Sequence, residues 1–93
     1  MQILQTPTFQ KTVKKLRANQ KKDLDEAIQY IMKNPIIGET KVGDLAGVYV
    51  YKFQMVKQLT LLAYTYHEQT ITLTLLALGS HENFYRDLKK RSL

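Results

Sequence analysis

Thr70-Ile71-Thr72-Leu73-Thr74-Leu75 alternates polar and apolar residues with period two, and Leu75-Leu76-Ala77-Leu78 then runs apolar without a break. The first part is the pattern of a strand with one buried and one polar face. The second is that of a strand covered on both faces, which belongs at the centre of a sheet. Two more runs rich in β-branched and aromatic residues come before it, Val48-Tyr49-Val50-Tyr51-Lys52-Phe53 and Leu59 to Tyr66. Both read as strands, joined by turns at Met55 to Gln58 and at His67-Glu68-Gln69.

Upstream the period changes from two to helical. Met1-Gln2-Ile3-Leu4-Gln5 reads as a short strand, after which Thr6-Pro7 supplies an N-cap and a proline at the first helical position. Phe9, Val13 and Leu16 follow at helical spacing with lysines on the opposite side, and Asn19-Gln20 is the expected break. From Lys22 to Lys33 the residues Leu24, Ala27, Ile28, Ile31 and Met32 form an apolar stripe, with Asp23, Asp25 and Glu26 near its start and Lys33 at its end, as the helix dipole favours. Asn34-Pro35 stops this second helix. Ile36 to Gly47, with Gly38, Gly43 and Gly47, is expected to be a loop. The order is β-α-α-β-β-β-α. It predicts an α+β fold in which two N-terminal helices pack on a mainly antiparallel four-stranded sheet, with a C-terminal helix beside it.

Residues 1–93 are predicted to form a single domain, since a chain of this length buries one core. A hydrophobic fraction of 44% argues for folding, and the absence of cysteine excludes a disulfide framework or thiolate metal site and suits a reducing cytoplasm. No apolar stretch approaches the roughly 20 residues that span a bilayer. The expectation is a cytoplasmic protein without membrane, metal or cofactor. A net charge of +6 points to an acidic partner such as nucleic acid. The charge is clustered: Lys11, Lys14, Lys15, Arg17, Lys21 and Lys22 precede the first acidic residue, while Arg86, Lys89, Lys90 and Arg91 lie near the end.

That end, Gly79-Ser80-His81-Glu82-Asn83-Phe84-Tyr85-Arg86, sets a histidine and a tyrosine among cations directly after the central strand. With Ser80 as N-cap, His81 would lie in the first turn of a helix, and Tyr85, four residues on, would share its face. A helix N-terminus favours the neutral imidazole, which can accept a proton, and its backbone N–H groups together with Ser80 could bind phosphate. His67, beside Glu68 in a turn, is assigned no chemistry.

The element order, length, charge and tail together resemble the RelE/ParE superfamily of bacterial type II toxins over essentially the whole chain. The specific motifs are Leu45-Ala46-Gly47 followed after a short gap by Lys52, and Leu78-Gly79-Ser80-His81 with an aromatic at Tyr85. The latter is similar to the G-[ST]-H-x-x-x-[FY] tail of the YafQ-like members, whose histidine and terminal aromatic belong to a ribonuclease site. The resemblance implies a toxin that cuts mRNA on the ribosome and is neutralised by a cognate antitoxin. Gyrase-poisoning members, which share the fold without the catalytic set, supply the alternative reading of a non-catalytic DNA gyrase inhibitor.

Metal-free RNA cleavage needs a base for the 2′-hydroxyl, an acid for the leaving 5′-oxygen and cations around the phosphorane. The candidates are His81 as base, Tyr85 for phosphate or base stacking, and Lys52, Lys57 and Arg86 for charge. RNA binding falls to Lys11, Lys14, Lys15, Arg17, Ser80, Lys89, Lys90 and Arg91. Ribonuclease members also carry a charged residue around the third strand of the sheet, where Leu59-Thr60-Leu61-Leu62-Ala63-Tyr64 has none. Lys57 and Gln58 are the nearest substitutes.

Overall fold

Thr6 fixes how the N-terminal half meets the sheet. The chain enters as β1, Gln2–Gln5, and turns into α1, Pro7–Lys14, with Thr6 extended at the N-cap and Pro7 at the first helical position, as predicted. The Thr6 hydroxyl accepts the Phe9 N–H at 3.1 Å and donates to the Leu76 carbonyl at 2.7 Å. One side chain therefore caps the helix and fastens it to a strand seventy residues away. The structure, a computed structural model, describes residues 1–80 and Phe84.

The second helix, α2, runs Ala18–Lys33 and buries Leu24, Ala27 and Ile31 along one stripe. The break expected at Asn19-Gln20 lies instead at Lys15 to Arg17, because both residues work as helix-start groups. The Gln20 side chain accepts the Arg17 N–H at 2.8 Å, and Asn19 Oδ1 accepts the Gln20 N–H at 2.9 Å.

The sheet has five strands in the order β1-β5-β4-β3-β2, where β2 is Glu39–Thr40, β3 Tyr49–Met55, β4 Gln58–His67 and β5 Thr72–Gly79. Two features correct the four-stranded expectation. Part of the predicted loop is strand β2, because Lys41 N–H donates to the Val48 carbonyl at 3.1 Å and a short 3₁₀ turn, Gly43–Leu45, folds the chain back beside β3. β1 pairs parallel to β5, while the other pairings are antiparallel. The C-terminal helix expected after Ser80 lies outside the described residues, apart from Phe84.

The hairpins also differ from the sequence reading at their ends. Val56 and Lys57 alone make the β3–β4 turn, with φ of 50° and 66°. This mirror-type turn matches strand twist but disfavours a β-branched residue. The Asp23 carboxylate holds it by accepting the Val56 N–H at 2.8 Å. In the next connection β4 continues through His67 and the turn takes in Thr70 and Ile71, so the alternating run begins as strand only at Thr72. Thr72 is itself buried, its hydroxyl donating to the Thr70 carbonyl at 3.2 Å, and the polar face expected of this strand is therefore partly covered.

β5 is covered on both sides, as its apolar half predicts. Register shifts between Tyr64, paired with Leu75, and Ala63, paired with Ala77, leaving Leu76 as an extra, bulged residue. On one face Leu62, Tyr64, Leu73 and Leu75 pack with Phe9, Leu24 and Ile31 of the helices. On the other, Val50, Leu61, Ala63 and Ala77 pack with Leu45, Val48 and Phe84. Each fully buried large aliphatic side chain contributes about 1.5–3 kcal/mol. Phe84 rests on Gly79, where a Cβ would stand 2.7 Å from its ring.

Thr6→Ala should lower stability by about 1–3 kcal/mol in urea denaturation, since it removes a cap and orphans a bulge carbonyl. Thr6→Ser should retain most of that stability. Equal stability of the alanine and serine variants would show that the double hydrogen bond contributes nothing.

Candidate functional site

Lys52 lies in the middle of β3 on the face shared by Val50, Leu61 and Phe84, and it pairs in register with Leu61, which in turn pairs with Gly79. Two inter-strand spacings, roughly 10 Å, thus separate the backbone of Lys52 from the residue at which the tail begins. Val50 and Leu61 are buried, but the Lys52 side chain is half exposed at 52%. Strand alternation brings its ammonium to the side of the sheet where Gly79-Ser80 ends.

The same face carries a group that sequence reasoning missed. Glu39 pairs with Val50 across β2 and β3, so its side chain comes up diagonally beside Lys52, with Lys41 two residues further on, just past β2. The Glu39 carboxylate lies 3.3 Å from Lys41 Nζ and 3.8 Å from Lys52 Nζ. Exposed ion pairs of this kind add about 0–1 kcal/mol to stability. Lys41 is the more enclosed partner, its side chain 20% exposed. A carboxylate held between two ammonium groups on a sheet face can take up a proton while the cations hold a phosphate. Its signal in the sequence was only a lone Glu in an apparent loop; the short strand β2 had to be seen first.

Tyr64 positions this carboxylate from the opposite face. Its buried hydroxyl donates to the Pro35 carbonyl at 2.8 Å and accepts the Gly38 N–H at 3.0 Å, pinning the backbone just before Glu39. Gly38 is required there: a Cβ would stand 2.8 Å from the Tyr64 oxygen and 3.0 Å from the Tyr49 Cβ. The Tyr64 ring also stacks on Tyr49 at 5.3 Å. Burial pushes the Tyr64 phenol above the usual tyrosine range; the Gly38 N–H opposes this, and the neighbouring Tyr49 and Tyr51 add to it.

The other predicted site residues are spread more widely. Lys57 sits in the left-handed turn at the hairpin tip, roughly 15 Å along the strand from Lys52, and does not join it. Ser80 is exposed at the end of β5. Lys11, Lys14, Lys15 and Arg17 are all exposed, and they belong to the helical layer on the opposite side of the sheet from Lys52. His81, Tyr85, Arg86, Lys89, Lys90 and Arg91 lie outside the described residues. β4 offers no cation beside Lys52, since Thr60, Leu61, Leu62, Ala63 and Tyr64 are buried. Among the described residues no three of His, Cys, Asp and Glu gather to hold a metal, and no helix is long and apolar enough to cross a membrane.

A small α+β domain with two helices packed on one face of a five-stranded mixed sheet is a RelE-like fold. The family model for the ParE-like toxin of type II bacterial toxin-antitoxin systems matches residues 3–89, and the chain belongs to that family. Solved structures share the fold at low identity. The E. coli toxin RelE, in a doubly substituted variant in the free state, superposes with a TM-score of 0.75 at 18% identity, covering 99% of this chain and 97% of that one. The intact E. coli RelBE toxin-antitoxin complex gives 0.70 at 16%, covering 87% and 96%. The YoeB/ParE toxin from Agrobacterium tumefaciens also gives 0.70 at 16%, covering 88% and 100%. No curated protein matches the chain.

Folding stability should decline as pH rises above about 10. The phenol that is raised in the folded state keeps its proton longer than in the unfolded chain, so its contribution is present below the unfolded value and lost above it. Tyr64→Phe should be about 1–3 kcal/mol less stable at pH 7, with Gly38 N–H and the Pro35 carbonyl orphaned, and should show a shallower alkaline decline. Parallel pH profiles by thermal melting would exclude Tyr64 as the titrating group.

Proposed function

We propose that this toxin is a metal-independent endoribonuclease that cuts mRNA on the ribosome and is held inactive by a cognate antitoxin. The observation that carries the reading is Glu39 ion-paired with Lys41 and Lys52 on the sheet face where Gly79-Ser80 leads into the tail. A carboxylate at neutral pH accepts protons rather than giving them, so Glu39 is the base that takes the 2′-hydroxyl proton. His81 in its imidazolium form is then the acid that protonates the leaving 5′-oxygen, with the bound phosphate offsetting the helix N-terminus that favours the neutral ring; this replaces the accepting role read from the sequence. Lys52 and Lys41 stabilise the negative charge of the phosphorane, with Arg86 as a further cation, and Tyr85 stacks on a base or donates to the phosphate.

The basic face of α1 has a different task in this proposal. It lies on the far side of the sheet from Lys52 and holds ribosomal RNA while mRNA occupies the cleavage face. The antitoxin follows from membership of the family. Support for that partner comes from relatives of the same fold solved with theirs, among them RelBE of E. coli and of Mycobacterium tuberculosis.

The test is cleavage of mRNA by the purified chain on programmed ribosomes. His81→Ala and Glu39→Gln should each slow cleavage by about 10²–10⁴-fold, the usual effect of losing an acid or base, without lowering the melting temperature. Intact mRNA with the parent chain, together with inhibition of DNA supercoiling, would transfer the toxin to the gyrase reading.

Replacing Lys11, Lys14, Lys15 and Arg17 by glutamine should weaken ribosome binding and reduce the slope of log affinity against log salt by about three units if all four meet phosphates. The fold should persist, because these residues lie opposite Phe9, Val13 and Leu16. An unchanged slope would make the α1 cluster a solvated face.

A further inference from the structure

The outer edge of β3 is open. β2 pairs only with Tyr49 and Val50, so from Tyr51 to Met55 no strand lies on that side among the described residues. Beside this edge, between β3 and α2, runs a shallow groove of about 150 Å³ whose lining includes Tyr30, Tyr51, Phe53, Asp23, Glu26 and Gln54. Tyr51 and Phe53 stack nearly parallel at 6.0 Å and are only half-buried, and Tyr30 across from them is 60% exposed. Glu26 has no ion pair among the described residues, and Asp23 uses one carboxylate oxygen on the Val56 N–H.

This groove is opposite in character to the rest of the molecule. On a chain of net charge +6, the charged side chains that line it are Asp23 and Glu26, both acidic. Aromatic walls under carboxylates attract cations, and an open strand edge offers backbone donors and acceptors to an extended chain. RNA could stack on the rings but would bring its phosphates against Asp23 and Glu26. A second copy of this chain would bring another +6 and set a second Lys52 near the first.

We propose that the β3 edge and the Tyr30–Phe53 groove bind an extended segment of a partner protein that carries arginine or lysine at every second residue. The segment adds as a strand to Tyr51–Met55. Its cationic side chains lie over Tyr51 and Phe53 beside Glu26, while the alternate ones, beside Lys52 and Gln54, are small and polar. This surface is separate from the cleavage proposal, because the rings point to the helical side of the sheet and Glu39 with Lys52 to the other.

The test is a fluorescence titration of the purified full-length chain with a labelled heptapeptide of alternating threonine and arginine. Saturable binding is expected despite the repulsion of two net-positive molecules, and none for the peptide with aspartate in place of arginine. Glu26→Gln with Tyr30→Ala, both exposed positions, should weaken binding by at least ~tenfold, the loss of an ion pair and a cation–π contact. N-methylation of one alternate set of peptide nitrogens should abolish it, and binding that survives methylation of each set in turn would overturn the proposal. Absence of binding, binding that both substitutions leave unchanged, or displacement of the peptide by oligouridine would overturn the proposal. No RNA cleavage is read in this assay, so its failure would leave the ribonuclease reading untouched.

Discussion

The carbonyl of Leu76, the extra residue of a bulged interior strand, is taken up by the Thr6 hydroxyl at 2.7 Å. Several features hang on that bond. It lets β5 turn Leu75 toward the helices and Ala77 toward Phe84, so one strand serves two cores. It anchors the start of α1, which carries Phe9 into the first core. Beyond the bulge, it sets the register that brings Gly79 opposite Leu61 and hence into line with Lys52. A side chain at the first helix cap therefore helps determine where the C-terminal tail leaves the sheet.

The face that carries Glu39, Lys41 and Lys52 follows from that register and from a second pin, the Tyr64 hydroxyl. Tyr64 is buried among the helices yet bonds the backbone on either side of Ile36-Ile37, and the chain that emerges is β2. Glu39 thereby stands between Lys41 and Lys52 on the opposite side of the sheet. Both pins are polar groups in largely apolar surroundings, where an orphaned partner costs more than the bond itself contributes. The candidate base is thus located by the core rather than by a flexible loop.

Much of this was legible in the sequence, and for identifiable reasons. The double apolar run Leu75 to Leu78 marks a strand covered on both faces, and Thr6-Pro7 marks a helix start. Both signals are local and both hold. Strand β2 was not legible, because two residues, Glu39 and Thr40, carry no period of their own and are ordered by distant residues, Tyr49 and Val50 in register and Tyr64 just before them. The start of α2 was misplaced because Asn19 and Gln20 favour turns and helix caps alike, and only their bonds decide. In the candidate site, Lys52 was named from a motif, and its half-exposed place on the face away from the helices is the one strand alternation gives it. Glu39 was not named because its place beside Lys52 depends on long-range pairing, and the basic α1 cluster gave no sign that it faces away from Lys52.

The activity proposed for this toxin is the cutting of translated mRNA. The most direct measurement is mapping of mRNA 5′ ends across the transcriptome within minutes of induction, in cells making the parent chain or a Glu39→Gln chain at equal abundance. New ends confined to coding regions and spaced in step with codons, present with the parent and greatly reduced with the variant, are the predicted result. Intact messages in growth-arrested cells, accompanied by an early DNA damage response, would contradict it.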